Sequence, residues 1–251
     1  ICLPADDKKR DFISNWWYIR PERRLNNTFT KDQLDLIQKI FDGLHSPEHQ
    51  EAVNKQVLKD QYGKPQNAPS VGFFGTPEDK DFEFVYTGHH VTRRCAVASE
   101  TGRGFGGHPV FYGHFQDQFN ETKDHIGNPY WYQGKALNEF IATLDGAQQG
   151  KLVVAGDPRS EHADEVIRMK TKDWTGLRLG DLAADQKKAF VDTARRMLST
   201  FRKDDVDATV GVLGRDTVLD DLHLSCFAGD WDLGGDKVWD TWQIEGPRLV
   251  W

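Results

Sequence analysis

Five of the nine histidines fall between residues 89 and 125: His89, His90, His108, His114 and His125. Imidazole is the side chain that changes charge near neutral pH, and it holds zinc, copper, iron and nickel. The densest stretch is YTGHHVTRRC, residues 86–95, where two adjacent histidines follow a run of alternating aromatic and polar residues. On an uninterrupted strand neighbouring side chains point to opposite faces. His90 then joins Phe82, Phe84 and Tyr86 on the face expected to be buried, and His89 joins Val85 and Val91. One ion reaches both only if the strand bulges or ends at Gly88, where glycine permits the turn.

The other histidines need the same geometric test. His108 and His114 share parity, but six extended residues span roughly 20 Å, so they converge only if the chain folds back at Gly113. Residues 102–107 contain four glycines, which allow close backbone approach. That segment is expected to fold over the Gly-His-His strand and bring His114 or His108 to His89 or His90. His89, His90, His114 and His108 are therefore the candidate metal ligands, for a transition metal such as zinc, copper or iron. Arg93 and Tyr112 are the candidate ligand-binding residues, because a guanidinium pairs carboxylate or phosphate in two-point fashion. Glu83 or Tyr112 is the candidate proton-transfer group. The ordinary alternative is a hairpin with hydrogen-bonded histidines and a solvated arginine edge.

Sharper signatures are missing from the sequence. There is no His-Glu-x-x-His, no Gly-x-Ser-x-Gly elbow and no Cys-x-x-Cys pair. Cys2, Cys95 and Cys226 allow one disulfide and a free thiol, or three reduced thiols. Trp231, Trp239, Trp242 and Trp251 suit either a ligand platform or core packing. The net charge of −7 argues against a nucleic-acid surface, and no apolar run approaches the roughly 20 residues of a membrane span. A small molecule or a protein remains as partner.

The elements that must position these residues follow from periodicity. Thr30 and Gln33 have capping-box spacing before Leu34, Ile37 and Phe41, which predicts a helix over 31–43. Ser46-Pro47 opens a second helix, 47–60. Residues 136–148 and 183–201 read as helices, the latter with Asp181 as cap. Residues 70–75, 81–95 and 151–155 read as strands, and LHLSCFAG with WQIEGPRLVW as a β-meander turning at Gly246-Pro247. The pattern gives one α+β domain over 1–251, with antiparallel sheet and hairpins flanked by helices.

With Gly88-His89-His90, the segment PVFYG and the closing LHLSCFAG…WQIEGPRLVW in place, the chain resembles the domain-of-unknown-function family numbered 3500. The resemblance runs thinly from about Trp17 to Trp251, and the Gly-His-His region is its distinctive part. It implies a site at Gly-His-His and a late Gly-Pro hairpin paired with the preceding strand. It also implies a His-x-His pair after that hairpin; the sequence stops at Trp251 before one, so a C-terminal strand and part of the site are expected to be missing. His114 stands where the family requires no histidine. Export is also implied, and with Ile1 at the start an extracytoplasmic protein, periplasmic or secreted, is the expectation. The functional expectation is a metal-dependent enzyme, hydrolase or oxidoreductase. The alternatives are a non-catalytic binding module and a subunit of a larger assembly.

Overall fold

The computed structural model describes residues 1–78, 82–96, 109–114, 125–156, 170–228 and 238–251, and these make an α+β fold. They group into two compact units. The first holds the described residues of 1–130 and of 200–205; the second holds those of 131–199 and 206–251.

In the first unit, strands β1 (Cys2–Leu3), β2 (Ser70–Phe74), β3 (Glu83–Gly88), β4 (Val91–Ala96) and β5 (Phe111–Tyr112) form one sheet in sequence order. β1 joins β2 in parallel and every other pairing is antiparallel. The stretch 81–95 is thus a hairpin and not one strand. Helices α1 (Leu25–Thr28), α2 (Lys31–Gly43) and α3 (Pro47–Asp60) precede β2. The start of α2 is fixed as its sequence predicts: the Gln33 N–H reaches Thr30 Oγ1 at 3.4 Å, and the Thr30 N–H reaches Gln33 Oε1 at 3.0 Å. Ser46 stands at the N-cap of α3 with Pro47 behind it, but its hydroxyl makes no capping bond to the helix backbone and sits 2.8 Å from His49 Nδ1.

The apolar stripes of α2 and α3 explain where they lie. Ile37, Phe41, Val53 and Val57 cluster with Phe84 and Tyr86 of β3. Burying each such side chain is worth roughly 1.5–3 kcal/mol. Val85, on the opposite face of β3, meets Trp17, Ile19 and Phe74. All six residues of β3 are consequently buried, although its alternation suggested one wet face.

The second unit contains α4 (Trp131–Ile141), α5 (Gly146–Leu152), α6 (Ala184–Met197) and α8 (Asp216–Leu219); α7 (Lys203–Leu213) also follows α6. The helix expected over 136–148 is two helices. The Thr143 hydroxyl caps back onto the Phe140 carbonyl at 2.7 Å, and Asp145 opens a new capping box with Gln148. α6 is shorter than expected, and Asp181 does not cap it. Gln186 instead accepts from the Ala183 N–H at 3.1 Å, while Asp181 closes a separate 3-10 turn. α7 was not expected, although Val206, Val210 and Leu213 recur along it at helical spacing and are buried. Strand β8 (His223–Ala228) is the centre of the second sheet. β9 (Trp242–Gly246) pairs with it antiparallel and turns at Gly246-Pro247 into β10 (Leu249–Val250). β6 (Val153–Ala155) and β7 (Leu177–Arg178) also pair with β8, parallel and antiparallel respectively.

The core of this unit gathers Leu137, Phe140, Phe190, Ala194, Leu224 and Ile244. Trp239, Trp242 and Trp251 pack against it, Trp242 and Trp251 edge-to-face at 5.9 Å, so these tryptophans serve packing. Trp231 lies outside the described residues. Cys2, Cys95 and Cys226 are free thiols. Among the described residues no helix is long and apolar enough to cross a membrane.

Candidate functional site

β3 ends at Gly88, which pairs with Val91, so His89 and His90 are the two residues of the turn between β3 and β4. A Cβ at Gly88 would lie 3.1 Å from Val91 Cγ1 and 3.5 Å from Pro69, too tight without movement. His90 closes the turn with φ +53°, a left-handed conformation uncommon outside glycine. The opposite-face rule ends with the strand. The two imidazoles lie side by side, ring centroids 3.8 Å apart. The turn is pinned by its backbone: the His90 N–H donates to the Asn15 carbonyl at 2.6 Å, and the His90 carbonyl accepts from Gly113 N–H at 3.1 Å.

One residue orients both rings. Asp60, fully buried at the end of α3, presents its main-chain carbonyl to His89 Nδ1 at 3.0 Å and its Oδ2 to His90 Nδ1 at 2.9 Å. A carbonyl oxygen only accepts, so the proton of His89 is on Nδ1 and its Nε2 carries a lone pair. The carboxylate gives His90 the same polarity. Among the described residues neither Nε2 has a hydrogen-bond partner. The His90 side chain is 16% exposed. Burial lowers the pKa of His89, the Asp60 carbonyl bond opposing, so His89 is held neutral at pH 7. His89 also stacks on the Trp16 ring, 4.3 Å away, with Tyr62 at 5.4 Å.

Behind the pair lies a buried polar chain. Gln56, one turn before Asp60, donates to Asp60 Oδ2 at 2.8 Å, and the Tyr130 hydroxyl reaches Gln56 Oε1 at 3.3 Å. Arg93 is only 1% exposed. Its Nη2 donates to Tyr130 at 2.9 Å, its Nη1 to the Phe111 carbonyl at 2.8 Å and its Nε to His45 Nε2 at 2.9 Å. None of these partners is a carboxylate. The guanidinium also lies over the rings of Tyr112 and Phe201, at 5.3 and 5.4 Å. Burial first, and the Arg93 charge second, push His45 down to about 3.

The sequence places a ligand on Arg93 and Tyr112; the structure puts the guanidinium inside the unit with protein partners on all three nitrogens. Glu83, the other candidate proton-transfer group, faces two arginines in the interior. It is 1% exposed and held by Arg94 at 2.8 Å and Arg10 at 3.0 Å, where it clamps the N-terminal segment to the sheet. His114 follows the Gly113 that bonds His90, and its ring centroid is 5.9 Å from that of His125. His125 Nε2 in turn lies 3.0 Å from Lys59 Nζ, next to Asp60. His108 and residues 102–107 lie outside the described residues. Among the described residues no group of three or more His, Cys, Asp or Glu side chains is arranged to hold a metal ion.

Asp60, Gln56, Tyr130 and His45 escaped the sequence reading. One sign of them was legible: Val53, Gln56, Val57 and Asp60 recur at helical spacing, so two polar residues occupy the inward stripe of α3. No curated protein and no solved structure matches the chain. The family model described as protein of unknown function (DUF3500) matches residues 4–251, essentially the whole sequence, and the chain belongs to that family.

Proposed function

We propose that the protein is a histidine-centred enzyme, a metal-dependent hydrolase or oxidoreductase, in which Nε2 of His89 and Nε2 of His90 ligate one transition-metal ion. The observation that carries this reading is that Asp60 occupies both Nδ1 atoms, which leaves Nε2 of each neutral ring as the atom with the lone pair. Ligating histidines are commonly fixed through the other nitrogen by a carboxylate or carbonyl in this way. The neutral state of His89 suits a ligand. His114 follows the Gly113 that bonds the His90 turn but completes no three-residue ligand set with the pair among the described residues, so the proposal rests on His89 and His90. An ion held there would act as a Lewis acid and lower the pKa of bound water.

A second reading is favoured by the carboxylate–imidazole bond of Asp60 and His90. That pair, without metal, is a general base of the kind that takes a proton at Nε2 from a nucleophile or water. Metal analysis of the purified protein, with zinc, copper and iron titrations of wild type, His89→Ala and His90→Ala, separates the two. Stoichiometric metal lost in both variants is the expected result. No metal in the wild type after loading leaves the general-base enzyme or the non-catalytic binding module. Extracytoplasmic location belongs to the same proposal, on the family resemblance alone, and cell fractionation tests it.

A further inference from the structure

We infer that Gln56 and Tyr130 are positioning residues for His90, set in their orientation by Arg93. The argument starts from the one member whose polarity cannot vary. A guanidinium only donates, so the Tyr130 oxygen must accept from Arg93 Nη2, and the Tyr130 proton is left for Gln56 Oε1. The Gln56 amide then has its oxygen toward Tyr130 and its nitrogen toward Asp60, where it donates to Oδ2. A flipped Gln56 would set an amide oxygen against a carboxylate oxygen, which the bond from Tyr130 opposes. Asp60 Oδ2 therefore receives one fixed donor from α3 and holds its rotamer, and the same oxygen takes the His90 Nδ1–H. Arg93 also donates to His45: its Nε–H reaches His45 Nε2, which places the His45 proton on Nδ1 for the Phe41 carbonyl at 2.8 Å.

Every bond from Arg93 to His90 thus has a single allowed direction. Arg93 and Gln56 are buried, so no competing solvent resets it. Core packing alone needs none of this, since apolar residues of the same volume fill an interior as well or better than a polar chain. A chain of this kind preserves the direction in which the His90 ring presents Nε2.

The inference rests on the His89/His90 site, and its test is made on metal-free protein so that failure of the metal reading leaves it decidable. Nitrogen-15 NMR of histidine-labelled protein reads each tautomer and the exchange of each Nδ1 proton. In the wild type His89, His90 and His45 are expected in the Nδ1–H form with slow exchange. Tyr130→Phe and Gln56→Leu, both close in shape to the originals, should speed exchange of the His90 Nδ1 proton and shift His90 from a single Nδ1–H form to a mixture of tautomers. His89 answers to the Asp60 carbonyl, not its carboxylate, and should keep its wild-type signals, which also reports that the variants are folded. His90 signals identical to wild type in either folded variant would overturn the inference. Zinc affinity measured on the same proteins is a second readout, expected to fall about 10–100-fold.

Discussion

His45 carries the clearest acid sensitivity of the site region. It is held neutral by burial and by Arg93, with its pKa down to about 3 from the ordinary 6.5. A histidine whose folded pKa is depressed binds a proton more readily once unfolded, so its contribution is full above 6.5 and is lost as pH falls toward 3. One and a half pKa units correspond to about 2 kcal/mol lost between pH 6.5 and pH 5. His89 and His49 are shifted in the same direction, both first by burial. His45→Gln keeps an acceptor for Arg93 and a donor for the Phe41 carbonyl but cannot titrate. Urea midpoints at the two pH values should therefore differ less in His45→Gln than in wild type. Equal differences would show that His45 does not report the pH of unfolding.

At the scale of elements, the β3–β4 turn holds a ring-bearing residue in a glycine conformation. His90 at φ +53° and Tyr62 at φ +52° are two of the three non-glycine residues with positive φ among the described residues, and both stand beside His89. Strain of this kind costs on the order of 1–3 kcal/mol and persists where surrounding contacts over-determine it. Here the contacts are the Asn15, Gly113 and Asp60 bonds. His90→Gly is expected to be about 1 kcal/mol more stable than His90→Ala by chemical denaturation, because alanine keeps the left-handed penalty and glycine does not. Both should lose metal or proton-transfer function alike. The pair of variants separates the strain of the hairpin from the chemistry of its ring. The reverse order of stability would mean that the turn rearranges once the ring is gone.

For the whole molecule, the two compact units have separate buried clusters, and the candidate site belongs to the first. Phe190→Ala in the second cluster is expected to cost about 3–5 kcal/mol there. Amide hydrogen exchange should then rise in α4, α6 and β8 well above any rise in β3 and β4, while the Nδ1 protons of His89 and His90 keep their protection. An equal rise in both sheets would mean that the chain unfolds as one cooperative body.

The sequence by itself determined what is local. The Thr30–Gln33 box, Pro47 at the start of α3 and the Gly246-Pro247 turn act within a few residues, and each stands where its pattern puts it. Gly88-His89-His90 was legible as the turn of a hairpin and a candidate site because glycine marks the end of the strand. Which face the histidines take was not, since two turn residues escape the period-two rule. Asp60, Gln56, Tyr130 and Arg93 come from α3, β4 and the residue before α4, and no spacing in sequence states that they meet. Their meeting is set by the packing of α3 on the sheet: burying Val53 and Val57 leaves Gln56 and Asp60 facing inward with polar groups to satisfy. Tertiary structure decided which nitrogen of each imidazole is offered, because a proton's place on a ring depends on the acceptor that the fold brings to it.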